Sequence, residues 1–221
     1  MSYQWHFDVI WEYKIVFLKG AIVTAELTAF AFILAAVLGL GLAFMRISPS
    51  AWLRTMATAY VEVFRSTPAL VQLVWIYYAL PIFTGVRFDN FTSVGIGLGL
   101  HTSAYYCEVI RAGILAVDRG QTDAAKAIGM KGAQTMRRII LPQAVRFMVP
   151  PFMNETANLI KLTTLGSVLA VYELLNASNN LIATTYRPLE VYTAVAVVFG
   201  LIIYPLIWAS GQLEKYWSRR S

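Results

Sequence analysis

Long apolar stretches alternate with short polar connections along this chain, at residues 20–45, 68–83, 93–117, 145–172 and 191–212. A helix crosses a bilayer with about 20 apolar residues. The second stretch reaches that length with a few flanking residues. The pattern therefore predicts an all-α polytopic membrane protein with five transmembrane helices. The first stretch is too long for a signal-peptide core, and no A-x-A-like cut site follows it, so it reads as a retained span. Within it Ala31, Ala35, Gly39 and Ala43 recur every four residues, a stripe that lets another helix approach closely. Gly95, Gly97 and Gly99 superficially look like a nucleotide loop. They lie in an apolar stretch with no strand pattern before them, so helix packing is the expected role.

The connections sort by charge. Arg46, Arg54 and Arg65 separate the first two stretches; Arg111, Arg119, Lys126, Lys131, Arg137, Arg138 and Arg146 lie around the third connection; Lys215, Arg219 and Arg220 follow the fifth stretch. The other side holds only Lys14, Lys19, Arg87 and Arg187, while Lys161 falls inside the fourth stretch. Cytoplasmic loops collect Lys and Arg, which places the N-terminus outside and the C-terminus in the cytoplasm. The expected organisation is an extracytoplasmic segment at 1–19, a membrane domain at 20–213 with a cytoplasmic loop at about 118–143, and a basic tail at 214–221.

Composition narrows the chemistry. The chain is 58% apolar and 14% charged, against about 25% charged in soluble domains, and its mean hydropathy is +0.59. The 18 Lys and Arg against 12 Asp and Glu give a net charge of +6, which topology explains without any nucleic acid. Cys107 is alone, and His6 and His101 have no zinc-site spacing. There is no G-x-x-x-x-G-K-[ST] loop, so this chain is not expected to bind ATP by that device.

The third connection is long yet helix-favouring. Residues 123–128 predict a helix capped by Thr122 or Asp123, ending at Gly129, where a left-handed residue is needed. A second helical stretch, 133–140, is expected to end before Pro142. Ala125, Ile128 and Met130 give the first helix an apolar face. That face suits either a groove on a partner protein or the lipid headgroups, and the residues alone do not choose between them.

Asp123-Ala124-Ala125, three residues, Gly129, nine residues, then Ile139-x-Leu141-Pro142 resembles the cytoplasmic EAA loop of binding-protein-dependent ABC importer permeases, with Asp123 where the family has Glu. The segments at 60–68 and 106–114, Gly120-Gln121, Leu141-Pro142-Gln143-Ala144 and Pro150-Pro151 are similar to the polar amino acid subfamily, whose subunits have five spans. The resemblance implies a bacterial inner-membrane subunit that forms a path for polar L-amino acids. Its partners would be a cytoplasmic ABC ATPase dimer, a second permease (the same chain or a related one) and an extracytoplasmic amino-acid-binding protein. ATP and Mg would sit on the ATPase, with no cofactor on this chain. Asp123, Ala124, Ala125, Gly129, Ile139, Leu141 and Pro142 would form the coupling surface.

Ionisable groups at membrane depth are costly and need a reason. In the fourth stretch Asn154, Asn158 and Lys161 fall on one helix face. If the span starts near Pro151, Lys161 lies about 15 Å in. Asn154, Glu155, Asn158, Lys161, Thr163 and Thr164 are the candidate substrate-binding residues, with Lys161 holding a carboxylate. The alternative is a structural ion pair of Lys161 with Glu155 or Glu108. The family commonly reads Leu-Lys-Asp-Thr-Ser-Leu here, and Leu162 replaces the Asp. That departure implies neutral or acidic substrates, or recognition by a partner subunit. Glu108 with Arg111, and Glu62 with Arg65, have i, i+3 spacing and read as local pairs; His101 reads as a packing residue. An ion-coupled secondary carrier is the alternative function. A membrane enzyme is disfavoured because no catalytic constellation is visible.

Overall fold

A computed structural model describes residues 3–218, and Arg219 and Arg220 of the expected basic tail lie outside the described residues. Every regular element among those residues is helical: α1 (Asp8–Glu12), α2 (Lys14–Arg46), α3 (Ala51–Ser66), α4 (Ala69–Thr84), α5 (Asn90–Leu115), α6 (Arg119–Ala127), α7 (Gly132–Thr135), α8 (Leu141–Leu162), α9 (Leu174–Thr185) and α10 (Pro188–Ser218). A π-helical turn, Met136–Ile140, joins α7 to α8, and a 3₁₀ segment, Thr163–Leu169, follows α8.

Several boundaries differ from the sequence expectation for local reasons. Residues 51–66 form a separate helix whose exposed positions mix Trp52, Leu53, Met56 and Val63 with Arg54, Glu62 and Arg65. Its buried residues are Ala57 and Val61. Pro68 disfavours helix at the residue before it; Thr67 and Pro68 are extended, and α4 leaves α3 at 109°. The helix expected to stop before Pro142 instead runs on. Leu141 donates its amide to the Met136 carbonyl, five residues back. This wider turn makes room for the proline ring, which has no amide to satisfy in the next turn. Pro150 and Pro151 lie inside α8 and do not start it. Asp89 caps α5 by accepting the Thr92 amide.

Helix α5 is the central post. The expected small-residue stripe on α2 packs against it: Ala31, Ala35 and Ala43 are fully buried. A Cβ on Gly39 would come 2.8 Å from the Tyr106 Cβ and 3.0 Å from the Ser103 carbonyl. Gly95 and Gly99 admit the Phe30 and Leu34 side chains, so the glycine run serves packing as expected.

The apolar core is layered along the bundle. One layer joins Phe17, Leu174, Leu181 and Val191. The next holds Leu27, Ala31, Leu73, Leu98 and Leu159. The third holds Ala43, Val61, Cys107, Ile114, Ala144 and Met148, at the end that carries α6. Helices α2 and α5 therefore run towards the α6 end and α8 runs away from it. Among the described residues, α2 and α10 are each long and apolar enough to cross a membrane. So are the bent pairs α3 with α4, and 132–169 with α9. Helix α5, at 26 residues, has the length but carries His101, Glu108, Arg111 and several hydroxyls.

Candidate substrate path and coupling surface

Two facing helices build a cavity of ≈ 340 Å³, lined by His101, Thr102 and Tyr105 of α5 and by Glu155, Asn158, Leu159, Lys161 and Leu162 of α8. The contributing residues recur at three- to four-residue intervals on each helix, which keeps them on one face. Lys161 is exposed to the cavity and has no ion-pair or hydrogen-bond partner for its ammonium among the described residues. Neither alternative carboxylate pairs with it. Glu155 accepts from Asn158 Nδ2 at 3.4 Å, and Glu108 is engaged by arginines. Thr102 Oγ1 is buried without a hydrogen-bond partner, and its residue lines this cavity. Leaving such a group unpaired costs about 1–3 kcal/mol. His101 is held by Gln72, Nδ1 to Oε1 at 2.9 Å, and its ring tilts against Tyr105.

The structure therefore brings together Glu155, Asn158 and Lys161 of the six candidates. Asn154 is exposed and does not line the cavity. Thr163 is fully buried and donates to the Ile160 carbonyl at 2.7 Å. Thr164 donates to the Lys161 carbonyl at 2.7 Å. Both hydroxyls are thus engaged by carbonyls in the last turn of α8. Sequence reading missed Thr102 and Tyr105, and took His101 as a packing residue without placing it beside Lys161. The spacing of His101, Tyr105 and Glu108 was the available signal, a polar stripe along an otherwise small-residue helix.

Glu108 is the hub of a larger charge cluster. Its carboxylate contacts Arg46 of α2, Arg111 of its own helix at 2.9 Å, and Arg65 of α3 at 4.0 Å. The expected Glu108–Arg111 pair is present. Arg65 turns to Glu108 and not to Glu62, because Glu62 lies on the exposed face of α3.

At the α6 end, the coupling candidates divide by exposure. Asp118 caps α6 through the Gly120 amide, several residues before the expected cap. Gly129 adopts φ +78°, as the sequence required. Its amide bonds to the Lys126 carbonyl and that of Met130 to the Ala125 carbonyl, closing a Schellman motif. Ala125 is buried under the helix, while Asp123, Ala124, Gly129 and Pro142 are exposed and Ile139 and Leu141 are half-buried. Ile128 is 76% exposed, so the apolar face expected of this helix points outward only in part. Asp123 lies 3.7 Å from Lys126, an exposed i, i+3 pair.

Residues 19–219 match the family model described as binding-protein-dependent transport system inner membrane component. The chain belongs to this family. The permease is 37% identical over 201 residues to the octopine transport system permease protein OccM of Rhizobium radiobacter, covering 87% of this chain and 82% of that one. It is 33% identical over 217 residues to the glutamine transport system permease protein GlnP of Escherichia coli, covering 97% and 98%. Its fold superposes on the crystal structure of an amino acid ABC transporter with histidines at a TM-score of 0.85 and 34% identity, over 99% of this chain and 100% of that one. As a member of this family the permease is a transport component of the inner membrane.

Proposed function

We propose that the permease forms the translocation path for polar amino acids in an ABC importer, fed by an extracytoplasmic binding protein and driven by a separate ATPase. The observation that carries this reading is the cavity between α5 and α8. It places an unpaired ammonium, Lys161, and a weakly held carboxylate, Glu155, on the same wall system. Those charges complement the carboxylate and ammonium of a zwitterionic amino acid. Leu162 lines the same cavity and gives a cationic side chain nothing to pair with, which favours neutral or acidic substrates. The relatives named for octopine and glutamine transport support an amino-acid cargo.

Five crossings follow, with the N-terminus outside. Supporting this, Arg46, Arg65 and Arg111 of two different connections converge on Glu108. Gln143 and Arg146 share a cavity with Glu214 and Trp217 at the end of α10. The basic residues of the first and third connections thus lie at the same end of the bundle as the end of α10, which supports an odd number of crossings. At that end α6 presents Ala124, Gly129 and Ile128 as a docking surface for the ATPase. ATP-driven closure would shift the paired permeases between two states only if the ATPase dimer favours one of them.

The test is to purify the complex through this chain, identify its partners by mass, and measure which amino acids stimulate ATP hydrolysis and uptake in proteoliposomes. Glutamine and glutamate should compete for uptake better than arginine. Strong selectivity for arginine through this subunit, or uptake driven by an ion gradient without ATP, would overturn the reading.

A further inference from the structure

The cavity that holds Lys161 is one of two along the same groove. The second, ≈ 410 Å³, lies towards the α6 end and is lined by Arg65, Glu108, Ala112, Gly113, Phe147 and Pro151, among others. Tyr105 and Glu155 belong to both cavities. On α5 the groove positions run 101, 105, 108, 112 and 116, a spacing that stays on one helix face. That stripe covers about 22 Å at 1.5 Å per residue, most of the roughly 30 Å hydrocarbon core.

Tyr105 is held from both sides. Its ring centroid is 5.1 Å from that of His101, and the Arg65 guanidinium sits over it at 5.6 Å. Each cavity also offers a cation with capacity to spare. Lys161 has no partner in the outer cavity. In the inner one, Arg65 is only 4.0 Å from a carboxylate that Arg46 and Arg111 already engage. Three guanidiniums around one carboxylate leave positive charge uncompensated.

We propose that the groove is a two-station path. Tyr105 is the partition between the stations, and Arg65 receives the substrate carboxylate at the station nearer α6. Glu155, common to both cavities, keeps the substrate ammonium while the carboxylate passes from Lys161 to Arg65. The transfer never leaves the carboxylate unpaired in a low-dielectric site, where an isolated charge is very costly. This inference rests on the Lys161 cavity being the outer station.

The experiment uses the complete complex in proteoliposomes, with the radiolabelled amino acid that stimulates its ATP hydrolysis. Tyr105→Ala should open the partition and allow saturable, nucleotide-independent equilibration of that amino acid, about tenfold above wild type; Tyr105→Phe should stay tight. Arg65→Gln should lower maximal uptake about tenfold, as expected for losing one charged hydrogen bond. Uptake should fall by more than stimulated ATP hydrolysis does, and Arg65→Lys should recover part of the rate. A merely structural role for Arg65 would lower ATP hydrolysis and uptake together. A tight Tyr105→Ala complex, or wild-type uptake by Arg65→Gln, overturns the two-station path. Unimpaired uptake by Lys161→Met overturns the outer station and the reading beneath it. Impaired uptake by Lys161→Met beside a wild-type Arg65→Gln overturns the second station alone.

Discussion

Replacing Glu108 by glutamine should be among the most destabilising single changes at a polar position of this permease. The Glu108 side chain is 19% exposed, and its partners Arg46, Arg111 and Arg65 are 15%, 30% and 42% exposed. Removing one member of a well-buried ion pair costs about 3–5 kcal/mol, because the remaining charge stays desolvated. An exposed pair is worth about 0.2–1 kcal/mol. Arg46 is close to the first case and Arg65 to the second, with Arg111 between them. Glu108→Gln should therefore cost about 2–3 kcal/mol after discounting for the partial exposure of the cluster. Arg65→Gln removes only a contact at 4.0 Å from a half-exposed side chain and should cost less than about 1 kcal/mol. In nanodiscs, at roughly 2–4 °C per kcal/mol for a chain of this size, Glu108→Gln should lower the midpoint by about 5–10 °C. Arg65→Gln should shift it by only a few degrees. Because the glutamine variant leaves three guanidiniums facing one another, adding Arg46→Gln to Glu108→Gln should restore part of the loss. If Glu108→Gln melts no earlier than Arg65→Gln, the charge cluster is not what ties α2, α3 and α5 together.

Three further outcomes follow from the geometry. Gly129→Asp forces a side chain into a residue at φ +78° with nothing within 4 Å of the added Cβ, a strain of about 1–2 kcal/mol. The complex should assemble but lose coupling, so persistence of full substrate-stimulated ATP turnover in the purified variant refutes the assigned surface. Gly39→Leu should separate α2 from α5 and lower thermal stability by about 1–3 kcal/mol or more. Gly41→Leu, two residues on with open space around it, should be tolerated, and equal melting points for the two variants would contradict the close approach. Thr102→Val removes a buried hydroxyl that has no partner. It should raise stability by about 1 kcal/mol and leave uptake near the wild-type rate; a lower melting point would contradict an unpaired hydroxyl.

What the sequence disclosed, and what it did not, has a physical pattern. The apolar stretches, the Ala31–Ala43 stripe and the φ +78° demand at Gly129 are local properties, read from periodicity and backbone preference, and each is present. Helix α3 was hidden because its exposed positions mix Trp52, Leu53, Met56 and Val63 with Arg54, Glu62 and Arg65, so no continuous apolar stretch marks it. The run of helix past Pro142 depends on a π-helical turn that no propensity scale encodes. For the site, α8 supplied the visible charge, Lys161, but three of the eight lining residues belong to α5. Which carboxylate Arg65 chooses, and whether Lys161 is paired at all, are decided by how three helices pack, and the spacing of residues along one helix cannot carry that information. Thr163 and Thr164 show the same limit: their hydroxyls bond carbonyls of their own turn.

The central claim is that Lys161 holds a substrate carboxylate in a path between α5 and α8. ATP-driven uptake by the purified complex in proteoliposomes, comparing Lys161→Met and Lys161→Arg with wild type, tests it directly. The account predicts that Lys161→Met assembles normally yet loses about tenfold or more in uptake, the equivalent of one charged hydrogen bond, while Lys161→Arg keeps most of it. Wild-type uptake by Lys161→Met would contradict the account.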